Sequence, residues 1–294
     1  MALARILVPL MAGAERTSTF DLALQAGRIL SARIDALCVS PDVLQMLKAA
    51  VGADVHLWTA ELVAALEDAA RKRRAASHAV FDAWMRRRGL TGQPQLNGDG
   101  WKPAAKWAEE AGDIAQLVGQ VGRFNELIVL HDGPEADDSD RSTLEAALFE
   151  AQRPVLVASD VQTASEGSHP LDRCALVGWD GSREALHAVT AALPILSRAQ
   201  RVVLLTIGAS GPSDKAVEAA LLDWLACHGV FPIRHFVAVP NGTIGQELLA
   251  QADHLGADLI VMGAYSHSRL RESVFGGTTR HVLANGDLPV LMAH

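Results

Sequence analysis

Two kinds of hydrophobic pattern alternate along the chain. Runs such as Val202-Val-Leu-Leu205 and Leu259-Ile-Val-Met262 are apolar at every position, as expected of strands in a parallel sheet with helices on both faces. Between such runs, apolar residues recur at helical spacing. Phe20, Ala23, Leu24, Gly27 and Leu30 mark one such face, and Ala185, Val189, Ala192, Leu193 and Leu196 another. Over the second half the pattern predicts strands near 173–179, 201–207, 233–239, 258–263 and 288–292. Helices are predicted near 183–198, 214–228, 242–255 and 278–285. Strand and helix in alternation imply right-handed crossovers and an open α/β sheet. Ligands of such sheets bind beyond the carboxyl ends of the strands, where strand order reverses, which directs attention to the residues after Trp179, Ile207 and Met262.

The series occurs twice. Arg5-Ile-Leu-Val-Pro9 opens the first half as Cys174-Ala-Leu-Val-Gly-Trp-Asp180 opens the second, and Glu126-Leu-Ile-Val-Leu130 with Arg153-Pro-Val-Leu-Val157 matches Asp258-Leu-Ile-Val-Met262 with Leu288-Pro-Val-Leu-Met292. The expected organisation is therefore two tandem domains, 1–160 and 171–294, each an open five-stranded parallel sheet flanked by helices. The first is enlarged by a helical insertion between Pro41 and Gly89.

Composition narrows the function classes. The 294 residues are 49% hydrophobic and 20% charged, which is globular usage. Apolar runs are too short to span a bilayer, and MALARILVPL has no small-residue cleavage site, so no membrane contact and a cytoplasmic location are expected. The formal net charge is −8, which argues against a nucleic-acid partner. The basic runs Arg71–Arg74 and Arg86–Arg88 are read as a solvated helix face. Cys38, Cys174 and Cys227 are widely spaced and read as reduced, buried thiols. Trp58, Trp84, Trp101 and Trp107 fall in segments read as helical and are expected to pack the insertion. His254, His267, His281 and His294 form no compact ligand set, so no metal site is expected.

The chemistry-bearing segment follows the fourth strand of the second half. Gly263 ends that strand, Ser266, Arg269 and Arg271 lie in the loop, and Gly276-Gly277-Thr278-Thr279 precedes the last helix, with Arg280 beside it. Glycines let backbone amides approach an anion, Thr hydroxyls donate to phosphate, and a helix N-terminus adds positive partial charge. The alternative is a plain turn with Thr278 or Thr279 as the cap, and composition alone leaves both open.

Val177-Gly-Trp-Asp-Gly-Ser182, Gly256-Ala-Asp-Leu-Ile-Val-Met-Gly-Ala264, His267-Ser-Arg-Leu-Arg-Glu272 with Gly276-Gly277-Thr278, and Pro289-Val-Leu291 resemble the universal stress protein family. The likeness covers residues 173–294 well and the first half through its strand ends and element order. It implies the adenine nucleotide alpha hydrolase-like fold, pairing of the two halves as a pseudo-dimer, and ATP binding with magnesium held through the phosphates.

The family's nucleotide pattern is Gly, two residues, Gly, nine residues, Gly, then Ser or Thr. Gly263 and Gly276 match, whereas Ser266 replaces the second glycine and Gly277 stands where a hydroxyl is expected. Thr278 or Thr279 could supply that hydroxyl. The resemblance places Asp180 at the ribose, with Gly181 beside it, and the backbone near Ile207 and Met262 at the adenine. Gly263, Ser266, Gly276, Gly277, Thr278 and Thr279 would surround the phosphates, with Arg269 screening their charge.

The first half has Met11 where the second has Asp180, and five acids between His131 and Asp140 would repel a triphosphate. It is expected to bind no nucleotide. GxGxxG, GxxxxGK[ST] and GxSxG are all absent, so redox, P-loop and serine-hydrolase chemistry find no support. The expected function is a cytoplasmic stress-response protein binding ATP or another adenine nucleotide at one site, at most a slow ATP hydrolase. A homodimer or a protein partner is its further expected association. The rival is a protein that has lost nucleotide binding and acts through its surface.

Overall fold

The computed structural model describes residues 4–14, 16–43, 47, 59–93, 95–97, 100–131, 138–158, 171–208, 212–238, 242–265 and 277–294. In the first half the elements are β1 (Ala4–Met11), α1 (Thr17–Leu30), β2 (Ala32–Ser40), α2 (Ala60–Arg88), β3 (Gln95–Asn97), β4 (Gly100–Lys102), β5 (Ala105–Ala111), α3 (Ile114–Val121), β6 (Leu127–His131), α4 (Asp138–Glu145) and β7 (Val155–Ala158). The second half contains β8 (Cys174–Gly178), α5 (Arg183–Leu196), β9 (Arg201–Ile207), α6 (Pro212–Cys227), β10 (Ile233–Val237), α7 (Ile244–Leu255), β11 (Leu259–Gly263), α8 (Gly277–Asn285) and β12 (Val290–Ala293). The second-half elements coincide with the apolar runs and periodic stretches to within a few residues.

The two five-stranded arrays are one sheet. Its order is β10-β9-β8-β11-β12-β7-β6-β1-β2-β5, a palindrome in which each half contributes the same series. Neighbours within each half are parallel. The halves meet where β12 and β7 pair antiparallel, with Val290 opposite Val157, Leu291 opposite Leu156 and Met292 opposite Val155. Antiparallel contact of like edges is what an approximate two-fold between similar units produces. It also removes two strand edges that would otherwise invite aggregation.

Helices cover both faces. Phe20 of α1, Trp84 of α2, Val189 of α5 and Leu225 of α6 belong to one buried layer. Val118 of α3, Leu144 of α4, Leu248 of α7 and Val282 of α8 belong to the other.

The insertion contains the 29-residue helix α2, capped by Thr59 at its start and ended by Gly89 at φ 64°. Phe81 and Trp84 are buried against Phe20, and Trp84 Nε1 donates to Asp21 at 2.8 Å. The basic runs are only partly a solvated face. Arg71 and Lys72 pair with Asp68 on the helix surface, but Arg88 is anchored on Asp21 and Arg74 donates to Ser40 Oγ. Trp107 lies on β5, not on a helix, and its ring stacks on His78 at 5.2 Å. Trp101 is on strand β4, while Trp58 lies outside the described residues. The β3–β4 hairpin has strands of three residues, too short to leave a periodic signature. Cys38 and Cys174 are buried as expected, and Cys227 is exposed near the end of α6. Among the described residues no helix is long and apolar enough to cross a membrane.

Candidate functional site

The site forms where β8 and β11, adjacent in the sheet, send their connections to opposite sides. Beyond β8, Trp179 is buried and its amide donates to the Leu205 carbonyl at 2.8 Å. The next residue, Asp180, is exposed and accepts from the Ser182 amide at 2.9 Å. Gly181 at φ 77° completes the turn, a conformation that costs glycine little. Ser182 then caps α5 by accepting from the Ala185 amide at 3.1 Å. Thus the turn role of Asp-Gly-Ser is real, and it leaves the carboxylate at the lip of a cavity.

That cavity has a volume of about 290 Å³. Gly178, Leu205 and Met262 supply strand ends, Ile244 and Leu248 come from α7, and Tyr265 closes another side. Asp180 and the first turn of α8, Gly277 to Thr279, reach it from elsewhere on its rim. The lining is an apolar slot with a carboxylate and hydroxyls at its borders, the composition of a small-molecule site.

Of the residues singled out in the sequence, the fold brings together Asp180, Ile207, Met262, Gly263, Gly277, Thr278 and Thr279. Gly181 is in the adjoining turn, whereas Ser266, Arg269 and Gly276 lie outside the described residues, as does Arg271. Trp179, Leu205, Ile244, Leu248 and Tyr265 also line the cavity and were not singled out as ligand contacts. Their apolar character reads as core in a sequence. A signal existed for Tyr265, the single tyrosine of the chain, two residues past a buried strand.

A Cβ on Gly263 would sit 2.6 Å from the Ala185 nitrogen and 2.8 Å from the Glu184 carbonyl carbon, so close packing of β11 on α5 requires this glycine whether or not a phosphate binds. Beside the cavity, the non-glycine residue in the left-handed region is Tyr265, at φ 65°. The two threonines also differ, since Thr279 is 3% exposed and Thr278 is only half-buried. Thr278 is therefore the more accessible hydroxyl.

The corresponding region of the first half is built differently. Ser77 of α2, completely buried, accepts from the Gly13 amide at 2.9 Å, and Arg74 reaches Ser40 at the end of β2. The long helix thus lies across the carboxyl ends of β1 and β2. A cleft of about 490 Å³ remains beside it, bordered by Asp42, Glu67, Asp68, Arg71 and Arg74. Its cations already have partners: Arg71 on Asp68, and Arg74 near Glu109.

Residues 232–294 match the sequence model of the universal stress protein family. No curated protein matches the chain. Among solved structures, a universal stress protein from Archaeoglobus fulgidus DSM 4304 aligns over 99% of this chain and 96% of its own, with a TM-score of 0.66 and 16% identity. A Pseudomonas aeruginosa UCBPP-PA14 structure ascribed to the same family aligns over 99% of this chain and 93% of its own, with a TM-score of 0.57 and 18% identity. Identities this low establish shared fold. Residues 232–294 therefore carry the sequence pattern of the universal stress protein family, and the chain as a whole shares the fold of these solved structures, its two halves in tandem.

Proposed function

We propose that this chain is a cytoplasmic stress-response regulatory protein that binds ATP or a related adenine nucleotide at one site, in the second half. The observation that carries the reading is the cavity, which places Asp180 and the α8 N-terminus on the rim of an apolar slot at the strand-order reversal. A planar base fits between Ile207, Leu248 and Met262, and Asp180 accepts from ribose hydroxyls. The phosphates lie over the mouth, toward the Thr278 hydroxyl and the amides that open α8. A slot of about 290 Å³ is at the small end for ligand sites, consistent with a buried nucleoside and exposed phosphates. Magnesium, where present, is held by those phosphates. Asp180 serves the turn and the ribose, and we assign no residue as general base, so the proposed role is binding and not turnover.

The test is calorimetric titration of nucleotide-stripped protein with ATP and magnesium. About one ATP per chain, weakened by Asp180→Ala and by Thr278→Ala, supports the reading; unchanged affinity in Thr278→Ala overturns the phosphate assignment. A second reading, a protein acting through its surface without nucleotide, is favoured by the edge at β10, where Phe231, Ile233 and Phe236 are 76%, 58% and 55% exposed. No binding heat and no co-purifying nucleotide would select it.

A further inference from the structure

Tyr265 joins the cavity to the other half of the chain. It lines the cavity, is only 6% exposed and adopts φ 65°, a conformation unfavourable for a bulky side chain, so surrounding contacts must hold it there. Its backbone neighbour is pinned, because the Ala264 amide donates to Ala293 at 2.9 Å and His294 Nδ1 donates to the Ala264 carbonyl at 3.1 Å. The His294 main-chain oxygen in turn accepts from His187 Nδ1 at 3.0 Å. On the ring itself, Phe149 packs edge-to-face, with centroids 4.8 Å apart and planes at 61°. Phe149 also contacts the His294 ring at 4.7 Å. It belongs to the first half, on the π turn Ala146–Glu150 that follows α4; such turns re-aim side chains and recur at functional positions.

We propose that Phe149 is a positioning residue for Tyr265, so that the first half sets the shape of one cavity wall, and hence ligand affinity, in the second. The inference rests on the nucleotide reading for the identity of the ligand. The ring of Phe149 is attached to one half and the ring of Tyr265 to the other, so any shift across the β12–β7 junction changes their packing. Without Phe149, the Tyr265 ring keeps only the more distant edge-to-face contact with His294, at 6.4 Å, and the strained backbone gains freedom to relax. The bound ligand then has to order that wall itself, which lowers affinity.

A single tyrosine makes the test direct. Protein labelled with 3-fluorotyrosine gives one fluorine resonance, from Tyr265. The expected result is that Phe149→Ala shifts this resonance in the unliganded protein and weakens ATP–magnesium binding about two- to tenfold, the range an edge-to-face pair supports. Phe149→Leu, which keeps bulk without the ring, weakens it likewise, whereas unlabelled Phe149→Tyr binds as the wild type does. A structural defect alone would not be rescued by restoring an aromatic ring while Leu fails. Phe149 is 38% exposed, and an unchanged unfolding midpoint establishes that each variant is folded. If the wild type binds ATP and both Phe149→Ala and Phe149→Leu bind equally well, the inference is overturned and the nucleotide reading stands. If the wild type binds no ATP, the nucleotide reading fails, taking with it the effect on affinity, and an unmoved resonance in Phe149→Ala would overturn the positioning role as well.

Discussion

Gly263, the last residue of β11, lies so close to Ala185 in the first turn of α5 that a single added carbon would come within 2.6 Å of the Ala185 backbone nitrogen. Backbone cannot yield as a side chain does. Gly263→Ala is therefore expected to destabilise the protein by about 1–3 kcal/mol, read from chemical denaturation, whether or not ligand is present. At Gly277 an added Cβ meets none of the described atoms within 4 Å. Gly277→Ser should leave stability within about 0.5 kcal/mol while adding a hydroxyl at the mouth, and ATP affinity should rise a few-fold. A loss of affinity in Gly277→Ser would show that this glycine keeps space for the phosphates.

Asp180 has two jobs that substitution can separate. Asn retains a carbonyl oxygen to accept from the Ser182 amide, so Asp180→Asn should keep the turn and reduce ATP affinity by loss of charge alone. Asp180→Ala loses both, at a stability cost of up to about 1 kcal/mol and an affinity loss of about tenfold. Equal affinities for the two variants and the wild type, measured by calorimetry, would remove Asp180 from the ligand site.

Leu156 and Leu291 face one another across the junction of the halves, with 0% and 1% of their surface exposed. Leu156→Ala should cost about 2–5 kcal/mol. Because the sheet is continuous, both halves are expected to melt in one transition. Two calorimetric transitions, with only the lower one moved by Leu156→Ala, would show that the halves fold independently.

Burial holds the Glu145 carboxyl above its usual range. The folded protein therefore binds this proton more tightly than the unfolded chain, and ionised Glu145 opposes folding once pH exceeds the ordinary carboxylate value. Glu145→Gln should be more stable than the wild type at neutral pH, by less than about 1 kcal/mol since the group is partly solvated. The gain should fade as acid protonates Glu145. A variant less stable at neutral pH would mean that the ionised group has a favourable partner that outweighs its burial.

The alternation of apolar runs and helical periodicity was legible along the sequence because covered parallel strands and amphipathic helices are local patterns, and the strand-order rule then pointed to the ends of β8, β9 and β11. Asp180, Ile207, Met262 and Thr278 followed from that rule and from the family resemblance. What only tertiary structure decided is non-local. The antiparallel β12–β7 pairing fuses two expected sheets into one, and no feature of Leu156 or Leu291 taken singly specifies its partner. Packing against Ala185 gives Gly263 a reason to be glycine that the loop alone does not contain. Tyr265 owes its place on the cavity wall to Phe149 and His294, residues brought together by the meeting of the halves. Local sequence sets which segments are strands and helices, because backbone preference and periodic burial act over a few residues. The walls of the site are set by contacts between segments distant in the chain, most of them within the second half, with Phe149 reaching Tyr265 across the β12–β7 junction.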